Sequence, residues 1–199
     1  MLGVLSAINA ALCPLGAGTA GIETVFFLLV LAGRVFGPGF GFPLGSTSLF
    51  ASALLTAGVG PWLPFQMLAA SWVGLGAGLL PRHATGRAEV AMLAVYAAVS
   101  AYAYGFCVNI WFWPFSPAAD TQRSYVAGAP LSDKPPPVRA VHRHRVVAGW
   151  DTGRAITNAI AVAILGSTVL ADLDDIARVE RGAGIRRPLT RCRDDRHVG

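Results

Sequence analysis

Between Arg34 and Arg82 the chain carries no Asp, Glu, Lys or Arg over 47 consecutive residues. A helix needs roughly 20 apolar residues to cross a bilayer, so this run accommodates two crossings. A second uncharged run, 90 to 119, accommodates another. Charged residues make up 14 % of the 199-residue chain and hydrophobic residues 54 %, against about 25 % charged in an ordinary soluble domain. A water-soluble globule is therefore not the expected class. Every backbone amide at membrane depth must be paired internally, and the scarcity of alternating polar residues favours helices over a barrel. The expectation is an all-α, multi-pass bundle of about six transmembrane helices in the cell membrane.

Glycine and proline cut the apolar sequence into pieces. Helices are expected near residues 2–13, 21–36, 43–58, 61–80, 88–113 and 149–171, separated by PLGAGTAG, FGPGFGFPLG and GVGP. A transmembrane domain then covers 1–171, including an extramembrane loop at 116–148 whose KPPPV tract is polyproline-like. A basic cytoplasmic tail follows at 172–199. Seven of the sixteen basic residues lie between Arg178 and Arg196, interleaved with Asp194 and Asp195; a solvated tail, not a nucleic-acid arm, is the expected reading. Six crossings put this tail, the Arg82–Arg87 turn and the N-terminus on one side, the cytoplasm. The opening MLGVLSAINAAL has no basic n-region and reads as the middle of a helix, as in a chain truncated within its first span.

Gly3, Ala7 and Ala11 stand at four-residue spacing, which lets helix backbones approach closely in lipid. Packing within the chain and docking of another subunit both fit, and Gly74, Gly76 and Gly78 form a second such stripe. Glu23 and Arg34 are eleven residues, about 16 Å, apart on one apolar helix, too far to pair with each other. Ionisable groups in such a segment are functional candidates or interfacial anchors. In W-D-x-x-R-x-x-x-N, Asp151 and Arg154 share a helix face, Asn158 continues it one turn later and Trp150 adjoins it. A structural ion pair and the polar rim of a cavity remain alternatives. GVGPWLPFQMLAASW places two prolines beside Trp62, Phe65 and Gln66, suggesting a kinked helix that walls a site. With Trp150 and the NIWFWPF run, which contains Asn109, Trp111 and Trp113, these aromatics fall toward one side of the bundle and suit a ring-containing solute.

Cys13, Cys107 and Cys192 form no paired motif, and His142 with His144 is the only histidine pair; no metal site or cofactor is expected. Nucleotide-binding and hydrolase signatures are missing as well.

The stretch from Ala7 to Pro81, with YGFCVNIWFWPF and GWDTGRAITNAIAVAILG, resembles the actinobacterial substrate-specific (S) components of energy-coupling factor (ECF) transporters, close to those described as cobalamin-type. The resemblance implies a non-enzymatic membrane protein that binds a vitamin-like solute, with cobalamin favoured. Partners implied are a transmembrane coupling protein and two ATPase subunits, as in an ABC importer. Ala7 and Ala11 match the family's A-x-x-x-A docking motif, and Gly60, Pro61, Trp62, Pro64, Phe65 and Gln66 its most recognisable signature. Asn109, Trp111, Trp113, Asp151 and Arg154 match recurring positions. Departures are Cys13 where an arginine is usual, the missing hydrophobic sequence before Met1, and the segments HRHRVVAG and DLDDIARVERGAG. Two other readings stand beside this one. The first is an intramembrane enzyme acting on a lipid or prenyl substrate through Glu23, Arg34, Asp151 and Arg154. The second is a degenerate fragment of an S component.

Overall fold

The computed structural model describes residues 1–13, 23–112 and 145–185. Among them are six helices and no strand: α1 (Leu2–Leu12), α2 (Val25–Phe36), α3 (Pro38–Leu55), α4 (Leu63–Leu79), α5 (Arg87–Phe112) and α6 (Arg145–Ile185). Two segments, Arg87–Asn109 and Gly149–Gly182, are long and apolar enough to cross a membrane by length and composition.

Successive helices run in opposite directions. One end of the bundle gathers Arg34, Leu80 and Glu89, with the Arg34 Nε donating to Glu89 Oε1 at 2.7 Å and its Nη1 donating to the Leu80 carbonyl at 3.0 Å. Met1 and Glu180 meet at the same end, where the terminal amine lies 3.9 Å from the carboxylate. Arg34 is thus held at the far end of α2 from Glu23.

At the centre stands α2, whose residues from Val25 to Arg34 are all buried. A helix that is apolar around its whole circumference is stable only when surrounded, and α3, α4, α5 and α6 supply that surround. Backbones approach most closely where glycines meet: a side chain on Gly33 or Gly41 would run into the Gly74 carbonyl, and one on Gly78 into Gly37 and Pro38. A side chain on Gly76 would meet the Tyr96 hydroxyl, which donates to the Val73 carbonyl at 2.8 Å. The Gly74–Gly76–Gly78 stripe is therefore internal packing.

Three boundaries differ from the sequence reading. First, α3 begins at Pro38, not 43. Gly37, at φ 90°, turns the chain in one residue, and Pro38 takes the first helical turn, where no amide donor is needed. Secondly, the prolines of GVGPWLPFQ kink nothing: α3 ends through Ala57 at φ 54°, with the Gly58 amide donating to the Ala53 carbonyl at 2.9 Å, and Pro64 sits in the first turn of α4. Thirdly, α6 starts at Arg145, inside the expected loop 116–148, and continues to Ile185, fourteen residues into the expected tail. Leu170, Leu173 and Ala177 continue its buried stripe, and Arg178 pairs with Asp175 one turn back at 2.8 Å.

Candidate solute-binding cavity

Opposite the Arg34 end, α1 to α6 line an open cavity of about 460 Å³. Its floor comes from the C-terminal end of α1 (Cys13) and from Leu49, Ser52 and Thr56 of α3. One wall comes from Glu23 and Val25, the others from Gln66, from Tyr104, Gly105, Val108 and Asn109, and from Trp150, Asp151 and Arg154.

The charged part is a network centred on Arg154. Its Nε donates to Glu23 Oε2 at 2.8 Å and its Nη1 to Asp151 Oδ1 at 3.1 Å. The Trp150 indole donates to Glu23 Oε1 at 3.3 Å. The Asn158 amide donates to the carbonyls of Glu23 at 2.5 Å and Arg154 at 2.8 Å, tying the start of α2 to α6. The guanidinium lies 5.2 Å from the centre of the Tyr104 ring, which packs edge-on against Phe26 at 5.0 Å. Such a cation above an aromatic face gains from the ring quadrupole when water is excluded. Gly105 lets α5 approach: a side chain there would occupy the position of the Asp151 carboxylate. Two carboxylates around one guanidinium leave a formal charge of −1, and among the described residues no other charged side chain lines the cavity.

Five of the expected site residues line this cavity: Gln66, Asn109, Trp150, Asp151 and Arg154. Phe65 and Trp111 do not line it but stack on each other, centroids 5.6 Å apart and planes at 16°, bracing α4 against α5 beside it. Trp62 does not line the cavity either; its ring folds over Gly60 just before α4. Trp113 lies outside the described residues. Glu23 joins Asp151 and Arg154, whereas Arg34 is held by Glu89, so the four-residue set proposed for an intramembrane enzyme does not converge. Cys13, Ser52, Thr56, Tyr104 and Gly105 were not singled out as site residues by spacing. Only the Tyr104 aromatic and the polarity of Ser52 and Thr56 within an apolar helix carried a signal.

Gly3, Ala7 and Ala11 lie on the exposed side of α1, with Val4 and Ile8 beside them. Among the described residues, packing within the chain does not use this stripe.

Compared with known proteins, the chain matches no family model, no curated protein and no solved structure.

Proposed function

We propose that this chain is a multi-pass membrane protein that captures a vitamin-like, ring-containing solute, as the substrate-binding subunit of an ECF-type importer. The observation that carries the reading is the cavity itself, a cleft lined by amides, hydroxyls, aromatic rings and one ion-paired network at a single end of an apolar bundle. Small-molecule sites have this composition, mostly apolar walls with a few convergent polar groups. The outer surface favours lipid as its surroundings. Only 28 % of each long apolar window is buried inside the bundle, and Val95, Val99, Ile156, Ile160 and Ile164 project outward. Exposed apolar stripes of this kind mark a surface made for lipid or a partner.

The exposed Gly3–Ala7–Ala11 face fits the coupling partner. An exposed alanine has room for a larger side chain, so Ala7→Trp and Ala11→Trp are expected to change stability by less than about 0.5 kcal/mol. A docked helix has no such room. Reconstituted with a coupling protein and ATPases, both variants are therefore expected to lose ATP-driven uptake while binding solute normally. Unchanged uptake by Ala7→Trp would remove the docking assignment.

Solute capture is tested by equilibrium binding to the purified chain in lipid nanodiscs, with cobalamin, riboflavin, biotin and thiamine as the panel. One of them is expected to bind, and Gln66→Leu to weaken it by about tenfold, the loss of one hydrogen bond to the bound solute. The volume and the −1 charge favour the compact, cationic thiamine over the anionic biotin, and over cobalamin, which requires a far roomier cavity. Failure of every member to bind, from a folded and monodisperse preparation, would count against the reading.

A further inference from the structure

A line of buried polar side chains runs between α1 and α3 beneath the cavity. Ser6, Asn9 and Cys13 recur at three- and four-residue spacing and so share a face of α1. At one end of the line the Ser6 and Thr47 hydroxyls meet at 2.7 Å. At the other, the Cys13 thiol donates to the Asn9 carbonyl at 3.2 Å and, with Ser52, forms part of the cavity floor. Between these ends Asn9 is 0 % exposed, and neither its amide nitrogen nor its amide oxygen has a partner among the described residues. On α3, Ser48 follows Thr47 and precedes Ser52 by one turn; it is 1 % exposed and its hydroxyl is also unpartnered.

Buried polar groups are almost always hydrogen-bonded, so three orphaned atoms in one interface point to a ligand. Its chemistry follows from what is left over. Asn9 offers a donor and an acceptor at once, and a metal cation would satisfy only the oxygen while facing the amide hydrogens. Neither α1 nor α3 contains a charged residue, so a cation would also lack a counter-charge. Water supplies both functions and needs only a few polar partners to be held.

We propose that ordered water occupies the α1–α3 seam at Asn9 and Ser48, as a polar branch of the cavity that begins at Cys13 and Ser52. The inference does not depend on which solute the cavity binds, nor on its binding one. It gives α1 a second character: the outer face is bare and apolar, while the inner face is bridged through exchangeable water.

Asparagine labelling makes the test direct, because the chain has three asparagines: Asn9, Asn109 and Asn158. In water-edited solid-state NMR of the nitrogen-15-labelled chain in lipid bilayers, Asn109, which lines the cavity, is the hydrated reference. Backbone amides of Leu29 to Ala32 are the dry one. The Asn9 side-chain amide is expected to receive water magnetisation at a rate within about two-fold of Asn109, and Ser48→Ala to slow it. Transfer as slow as that of the α2 amides would overturn the proposal. Asn9→Leu, which keeps the branching and removes the polarity, gives an independent sign. A hydrated seam predicts a lower melting temperature for this variant, and a higher one would mean that the amide is dry and would overturn the proposal. The measurement on the unaltered chain stands even where a variant fails to fold.

Discussion

Arg154→Ala is expected to destabilise the bundle by about 3 to 5 kcal/mol, because breaking a buried ion pair from one side leaves the other charge uncompensated. The arginine pairs with two carboxylates at once, Glu23 on one side and Asp151 on the other, with side chains 30 % and 12 % exposed. Removing it leaves two negative charges facing each other across the cavity, and among the described residues α2 keeps only the Trp150 and Asn158 contacts of Glu23 as its polar ties to α6. For a chain of this size the melting temperature should fall by roughly 10 °C. The triple change Glu23→Gln, Asp151→Asn, Arg154→Met is expected to recover much of that loss, since it removes the charges together. Thermal unfolding of the detergent-solubilised proteins measures both effects. An Arg154→Ala protein that melts with the unaltered chain would show the network to be solvated and energetically idle.

Gly74→Leu is expected to abolish the folded bundle. Gly33, Gly41 and Gly74 lie where α2, α3 and α4 touch backbone to backbone, and a first side-chain carbon on Gly74 already overlaps the Gly41 carbonyl and a Leu29 methyl. Backbone cannot turn aside as a flexible side chain can, so even Gly74→Ala should cost about 1 to 3 kcal/mol or more. Gly39 is the internal control: it lies in α3 too, but nothing stands within 4 Å of a side chain built there. Gly39→Ala should therefore change stability by no more than about 0.5 kcal/mol, with any helix-propensity gain in its favour. Size-exclusion profiles and melting curves for the three variants distinguish packing from a general intolerance of glycine replacement, which would lower Gly39→Ala as well.

The approximate positions of the helices among the described residues were legible because charge depletion and glycine–proline punctuation are local signals. The Asp151–Arg154 pair was legible for the same reason, being three residues apart on one helix. Its third member was not: Glu23 lies 131 residues from Arg154, and Arg34 lies 55 from Glu89. No spacing rule connects positions that only packing brings together. Glycines misled in one direction. In FGPGFGFPLG they suggested a loop, yet only Gly37 turns the chain, while Gly41 and Gly45 serve close helix contact, where the intrinsic cost of glycine in a helix is outweighed by what the neighbouring backbone gains. The far end of α6 was hidden by its acidic residues, which look like solvent-exposed tail until the buried stripe through Leu173 and Ala177 is followed beneath them.

That long helix has a mechanical consequence. Between Arg154, at the cavity, and Glu180, beside the amino terminus of α1, α6 runs unbroken by proline for 26 residues, about 39 Å at 1.5 Å per residue. A rod of that length cannot tilt at one end without displacing the other. Under the proposed function, a solute that pulls on Arg154 and a partner that leans on α1 act on opposite arms of one lever. Thermodynamic reciprocity then requires that each alter the other's affinity by the same factor. Solute binding measured with and without the docked partner, and docking measured with and without solute, should give one ratio.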